Sequence, residues 1–398
     1  MQAAYIVQAA RTPIGRHKGS LANVRADDLA AHVIAAVLDR APELKMDLDH
    51  VIFGATNQAG EDNRNVARMA ALLAGVAYEV PAVTVNRLCG SGMEAIIQAA
   101  MRIAVGDAEI VVAGGVESMT RAPFVMGKPD EAFTRNAPRL FDTSIGWRFE
   151  NPKMAERFPL QSMGETAENV AERWKITRED QDAFALLSQQ KAGRAIEAGA
   201  FKAEIAPVVL PQKKGDAIAF SQDESPRPDT TAAALAKLQP VFRKGGSVTA
   251  GNSSPINDGA SAVLVVSERV LKAHKLEPLA RIVASGCVGL EPNFMGEGPI
   301  GATQLVLKRA EWKVSVLDLV ELNEAFAAQS LACIRALELD PAKVNVNGGA
   351  IALGHPIGSS GCRIVGTLVH AMKAQQKRRG LATACIGVGQ GIAMLVER

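Results

Sequence analysis

No C-x-x-C pair occurs in the sequence, and its five cysteines, Cys89, Cys287, Cys333, Cys362 and Cys385, are an odd number spread far apart. That excludes a disulfide framework and a zinc site and predicts reduced thiols in a cytoplasmic protein. A surplus of either charge is also missing, since 44 Lys and Arg face 42 Asp and Glu. The one basic run, KAQQKRR at 373–379, reads as the solvated end of a helix, so no nucleic-acid partner is expected. No stretch approaches the roughly 18 apolar residues of a membrane span, and the opening MQAAYIVQAARTPIG has no basic region ahead of an apolar run. No membrane partner is expected.

What is present is repetition. At 398 residues the chain exceeds what one core usually serves, so two or three structural units are expected. Strand AYIVQAA, helix ADDLAAHVIAAVLDRA, strand HVIFGAT, helix NVARMAALLAG, strand AVTVN, helix SGMEAIIQAAMRIAVG and strand EIVVAGG follow one another. From Leu279 the order returns as LARIVASG, ATQLVLKRAEW, LDLVELN, AFAAQSLACIRAL, KVNVN, SGCRIVGTLVHAMKA, LATACIGV and IAMLVER. The last strand of the first half is SAVLVVSE, delayed to Ser261 by an insertion. Leu29, Val33, Val37 and Leu38 share one helical face, as do Met93, Ile96, Ile97, Ala100 and Ile103. The strands are continuous apolar runs, which suits sheets covered on both faces. Two α/β units of common topology follow.

The insertion differs in kind. Ten of the 19 prolines and nine of the 12 phenylalanines fall between Arg121 and Gly245, combining irregular backbone with large apolar side chains, as a binding wall would. It contains one clear helix start, TRED at 177–180, a capping pattern.

Chemistry gathers where strands turn into helices. A free cysteine is by default a small core residue, but Cys89 ends a strand and is followed by Gly90, Ser91 and Gly92. Those small residues permit a sharp turn or a close-approaching ligand, and the helix start beside the sulfur favours a thiolate. His355 lies at the corresponding junction of the second half, in the glycine-rich NGGAIALGHPIGSSG, where a packed core is hard to build, so it is the best base. His17, His32, His50, His274 and His370 sit in ordinary contexts. Cys385, in ACIGVGQG, is either a small core residue before a β-turn or a second reactive thiol, with Gly387 offering an N–H to an oxyanion. No helix follows that glycine pattern, which argues against a dinucleotide site. Asn323 lies between strand and helix, where an N-cap is the plain reading.

Taken in order, RTPIG at Arg11, CGSG at Cys89, GGVESM at Gly114, VTAGNSSPINDGA at Val248, NEAF at Asn323, NGGAIALGHPIGSSG at Asn347 and CIGVGQG at Cys385 closely resemble the thiolase family. The resemblance spans essentially the whole chain. It implies an α/β fold of two similar domains, βαβαβαββ each, packed in α-β-α-β-α layers with an inserted loop domain. The boundaries drawn are 1–120 with 246–272, the insertion 121–245, and 273–398. By the same resemblance Cys89 is the acyl-accepting nucleophile, His355 its base and Cys385 the acid/base at the α-carbon. Asn323 holds a water which, with His355, stabilises the thioester oxygen, and the N–H groups of Cys89 and Gly387 hold the acyl-enzyme oxygen.

CoA and acyl-CoA are then the partners, as substrates rather than cofactors, and neither a metal nor a held organic cofactor is implied. Ser254, Arg227, Met163, Ala325 and Phe326 match CoA-contacting positions, although Met163 and Phe326 could be core and Arg227 a solvated charge. A homo-oligomer, dimer or tetramer, is expected. Ser162, where biosynthetic members tend to have His, weakens an acetoacetyl-CoA-forming assignment, and Pro255 stiffens the loop after Ser254. GEDNRNVARMA, RAPFVMGK, FDTSIGWRF and CIGVGQGIAM look particularly similar to β-ketoadipyl-CoA thiolases. Their substrate ends in a carboxylate, for which Arg64, Arg68, Arg121 and Arg148 are candidates. The alternatives are a biosynthetic acetyl-CoA acetyltransferase and, more remotely, an inactive acyl-CoA binder. A ketoacyl-synthase type of enzyme is disfavoured by Cys385.

Overall fold

A computed structural model describes every residue except Met1, Asp130, Thr134 and Asn136. In the first half, β1 (Ala4–Arg11), α1 (Ala26–Asp39), β2 (His50–Gly54), α2 (Val66–Leu73), β3 (Ala82–Val85), α3 (Ser91–Val105) and β4 (Ile110–Ser118) follow the expected order. The excursion from Met119 to Ile256 carries α4 (Met163–Arg173) and α5 (Arg178–Glu197), and β5 (Asn257–Ser267) then completes the first sheet. The second half comprises β6 (Ala280–Gly289), α6 (Gly298–Ala310), β7 (Leu319–Leu322), α7 (Ala327–Ala336), α8 (Ile357–Ala374), β8 (Arg379–Ile386) and β9 (Gln390–Glu397).

The first half-sheet runs β3-β2-β4-β5-β1, and the second runs β7-β8-β9-β6. An isolated bridge from Val344 to Val320 of β7 stands where the third strand of the second half belongs, so both halves share the order third, second, fourth, fifth, first. The halves are also stitched together, because β1 pairs antiparallel with β6 through Tyr5–Arg281 and Ile6–Ala280.

The expected strand KVNVN therefore shrinks to one bridge, for a local reason. Asn345 has left-handed backbone (φ 46°), and its side-chain amide takes the place of a paired strand residue. Its Oδ1 accepts from Leu322 N at 2.8 Å while its Nδ2 donates to Leu322 O at 2.8 Å. Backbone demand on β7 is met without a strand.

Three apolar cores separate the layers. Leu29, Val33, Val37 and Leu38 are fully buried between α1 and the first half-sheet. A central core joins α3 and α8 to the inner faces of both half-sheets, and a third lies beneath α6 and α7. The two central helices touch at glycine: a Cβ on Gly92 would lie 2.7 Å from Cys362 N, and one on Gly361 would lie 2.5 Å from Met93 N. No side chain fits such spacing. Gly92 thus serves helix packing, while Gly90 lies against Ile386 and Ile392; neither faces open space for a ligand, the alternative to a sharp turn expected of them.

Candidate active site

The helix pair brings two chain turns side by side. After β3 the chain enters a 3₁₀ turn, Leu88–Gly90, from which α3 starts directly at Ser91. Leu88 adopts φ 45°, a conformation that costs a non-glycine residue roughly 1–3 kcal/mol and persists only where its surroundings enforce it. Here Asn86 Oδ1 accepts from Leu88 N at 2.9 Å, and Ser91 Oγ accepts from Arg87 N at 2.8 Å while donating to Leu88 O at 2.6 Å. Cys89 is held half-buried on this turn.

Two backbone N–H groups, those of Gly387 and of Cys89 itself, lie near enough to the Cys89 sulfur to lower its pKa. They favour the thiolate but do not prevail. Burial pushes the Cys89 thiol up to about 11, and the Glu117 carboxylate pushes the same way. The thiolate expected from the helix start is thus corrected: desolvation outweighs the local dipoles, and Cys89 rests as a thiol.

His355 sits on the matching turn before α8. Gly354 (φ 112°) is required there, because a Cβ would fall 2.6 Å from Asn257 Cγ. The Asn257 Oδ1 accepts from His355 N at 3.0 Å. His355 Nδ1 lies 2.6 Å from Ser360 Oγ, and that hydroxyl donates its proton to Pro356 O at 2.9 Å. Ser360 must therefore accept from Nδ1–H, leaving the lone pair on Nε2. Burial, followed by the charge of Arg363, pushes the imidazole down to about 4. Contrary to the expectation from its glycines, residues 348–356 are packed throughout. His355 is a buried, neutral, tautomer-fixed base.

Asn323 is not an N-cap, since Phe326 takes that position for α7. Its Nδ2 points to His355 Nε2 at 3.4 Å, while its Oδ1 is buried with no partner among the described residues. Cys385 is fully buried near the end of β8. Burial raises its thiol well above the ordinary value, with the Cys89 and Cys333 thiols adding to the effect. A tight turn follows, in which Val388 has φ 64°. Val388 is partly exposed, so Val388→Gly would remove a β-branched left-handed residue without emptying the core. It is expected to stabilise the fold by about 1 kcal/mol, read as a raised urea midpoint with unchanged slope.

Met163, Ala325, Phe326 and Cys385 share one apolar cluster with Ala167, Val248 and Met295, so the structure brings Met163, Ala325 and Phe326 to Cys385. A Cβ on Gly387 would lie 3.3 Å from Met163 Sδ. Ser254 is half-buried beside them, its N–H donated to Ala325 O at 2.9 Å. Arg227 is exposed on the insertion, its backbone N donated to Gln189 Oε1 at 2.7 Å. Ser162 has a structural duty as N-cap of α4, in a capping box with Glu165. His32 and His370 are each spent on a backbone carbonyl, at 3.2 and 3.1 Å.

Sequence reasoning passed over Ser360, which fixes the imidazole tautomer, and assigned no role to Glu117 within GGVESM. Its other omission is Glu324 of NEAF, a buried carboxylate held by Ser188 Oγ, Asn345 Nδ2 and Ile351 N. The only signal for Ser360 was its place within a helical turn or so of His355.

A thiol on a helix-start turn, a second at the end of β8, a neutral imidazole and two nearby N–H groups define a class of acyl-transferring enzyme, and the chain belongs to the thiolase family. The N-terminal thiolase domain matches residues 4–269 and the C-terminal thiolase domain residues 276–398. The β-ketoadipyl-CoA thiolase of Acinetobacter baylyi is 53% identical over 401 residues, covering 100% of both chains. An acetyl-CoA acetyltransferase of Pseudomonas aeruginosa is 50% identical over 398 residues, again covering 100% of both. Among solved structures, human mitochondrial 3-ketoacyl-CoA thiolase in complex with CoA superposes with a TM-score of 0.93 at 41% identity, covering 100% of this chain and 98% of that one. The protein is an acyltransferase of that family.

Proposed function

We propose that the protein is a degradative thiolase, in which cleavage of a 3-oxoacyl-CoA runs through an acyl group carried on Cys89. The observation supporting this most strongly is the Cys89 sulfur lying near the Gly387 and Cys89 N–H groups, in a site that also holds His355 and Cys385. The sulfur attacks the 3-oxo carbon of the substrate while His355 Nε2 takes its proton. The two N–H groups receive the resulting oxyanion; loss of such a donor elsewhere costs about 3–4 kcal/mol.

Collapse of the adduct breaks the C2–C3 bond, and its electron pair passes to the acetyl-CoA α-carbon as an enolate. The enolate oxygen is held by protonated His355 and a water bound at Asn323, whose orphaned Oδ1 is a suitable acceptor. Cys385, a neutral thiol, supplies the proton to the α-carbon. CoA then attacks the thioester on Cys89, giving its thiol proton to the Cys385 thiolate. The Cys89 sulfur leaves with the proton returned by His355, and every group is restored. Condensation is the reverse.

CoA would lie along Met163, Phe326 and Ser254, with Arg227 at the exposed end suited to its phosphates. We also propose a cytoplasmic homo-oligomer, a compartment suggested by its free cysteines. Mixing with acetyl-CoA followed by intact-mass and peptide analysis tests the core of the proposal: an acetyl group on Cys89 is expected, and binding without an adduct would leave an inactive acyl-CoA binder instead.

For the substrate we favour 3-oxoadipyl-CoA, the substrate class named for the Acinetobacter relative. Of the four arginines suggested for its free carboxylate, Arg68 is spent on Val80 O and Tyr78 O, and Arg121 on Glu61 and Ala22 O. Arg148 is half-buried with one long contact, 3.5 Å to Thr143 O, and remains the better candidate beside exposed Arg64. A kcat/KM for 3-oxoadipyl-CoA above that for acetoacetyl-CoA is expected, whereas the reverse ranking would favour acetoacetyl-CoA formation.

A further inference from the structure

Glu117, in β4, takes part in no step above, yet it is buried to 2% exposure and its carboxylate gathers four donors. Oε2 accepts from Thr56 Oγ1 at 2.6 Å, Thr56 N at 3.2 Å and Gly358 N at 2.8 Å, and Oε1 accepts from Asn57 N at 3.2 Å. Gly358 lies in the first turn of α8, three residues beyond His355. On the other side, Thr56 O accepts from Asn86 Nδ2 at 3.1 Å, and Asn86 Oδ1 holds Leu88 N at 2.9 Å. One carboxylate therefore connects both turns of the site.

The packing leaves this connection little slack. A Cβ on Gly115 would meet Gly358 O at 2.0 Å, and one on Gly358 would meet Val116 O at 2.4 Å, so α8 starts pressed against β4. Burying a carboxylate is expensive, and burial pushes this one up to about 7. A carboxylate meeting four N–H and O–H donors at a helix start gives short, directional bonds that a neutral group gives less well.

We propose that Glu117 is a positioning residue for the reaction, clamping the Cys89 turn and the first turn of the His355-bearing helix to each other. The proposal rests on the reading that Cys89 and His355 react together. Placement of nucleophile and base decides rate steeply, with errors near 1 Å costing about 100-fold.

Two variants test it. Glu117→Gln retains an oxygen for the three donors on Oε2 but sets an NH₂ against Asn57 N–H and removes the charge. Thr56→Val removes the shortest bond and keeps the charge. Acetylation of Cys89 by acetyl-CoA is expected to slow about 10- to 100-fold in each, with the apparent affinity for acetyl-CoA within twofold and the thermal midpoint nearly unchanged.

The titratable groups facing Glu117 include Asp62 and Cys89. The pH midpoint for alkylation of Cys89 by iodoacetamide should accordingly move down in Glu117→Gln and stay in place in Thr56→Val. Acetylation within threefold of the unaltered protein in either variant overturns the clamp. So does a rate loss accompanied by weaker acetyl-CoA binding and a lowered thermal midpoint, or an alkylation profile that Glu117→Gln leaves in place. Failure of the unaltered protein to acetylate at all would instead remove the Cys89 mechanism.

Discussion

Cys89→Ala is expected to abolish cleavage and condensation alike and to leave no acyl group on the protein after exposure to acetyl-CoA. The loss should reach about four to six orders of magnitude in kcat, the scale seen when a nucleophile is removed from an acyl-transfer site. The electrostatics sharpen this prediction. With Cys89 pushed up to about 11 and His355 down to about 4, thiol and imidazole are both neutral across the physiological range, so the proton moves during attack. The unaltered enzyme should therefore acylate with no ionisation limb from this pair between about pH 5 and pH 9, in contrast to thiolate–imidazolium enzymes.

His355 also links the site to stability. Its folded value lies below the ordinary 6.5, so the unfolded chain binds more protons between pH 6.5 and pH 4. The stability it confers is complete above 6.5 and lost as pH falls through 4. Residual turnover in Cys89→Ala, measured by direct product assay, would end the acyl-enzyme reading.

The parts of this site that sequence made legible are those whose chemistry is carried by residue type and local pattern. Cys89 and His355 stood at strand-to-helix turns, and the repeated strand and helix order placed those turns in equivalent positions; the pairing of α3 with α8 then brings them together. The covered faces of α1 and α3 followed from apolar period, and Thr177 caps α5 as its pattern implied, accepting from Asp180 N at 3.1 Å.

What escaped is what depends on long-range contact. The thiol state of Cys89 is set by burial, which no local pattern registers. The strand expected at 343–347 was displaced by one asparagine side chain, a substitution that β-propensity does not register. Gly90 and Gly92, read as room for a sharp turn or a ligand, face Ile386 and Cys362 instead of open space. Glu117 looked like part of a motif without a task, because its four donors come from two distant segments, Thr56–Asn57 and Gly358.

The second large effect falls on Cys385, and its value lies in separating two half-reactions. Cys385→Ala is expected still to form the Cys89 acetyl adduct from acetyl-CoA, more slowly than the unaltered protein because the leaving CoA sulfur loses the proton that Cys385 gives it, while His355 and the N–H groups of Cys89 and Gly387 still serve the attack. Carbon–carbon cleavage and the exchange of acetyl α-protons with deuterated solvent should instead fall by roughly 100- to 10,000-fold, the contribution typical of a placed general acid/base.

The thiol is well suited to giving a proton, because burial and the neighbouring Cys89 and Cys333 sulfurs hold it protonated. It becomes a useful base only after it has given that proton up, which is when CoA needs one. Removing the sulfur from a packed cluster costs at most a few kcal/mol of stability, and persistence of the adduct shows directly that the site is still assembled. Mass spectrometry for the adduct and NMR for deuterium incorporation read the two halves independently. Exchange retained at the unaltered rate would return Cys385 to the plain role of a small core residue before a β-turn and pass the proton transfer to another group.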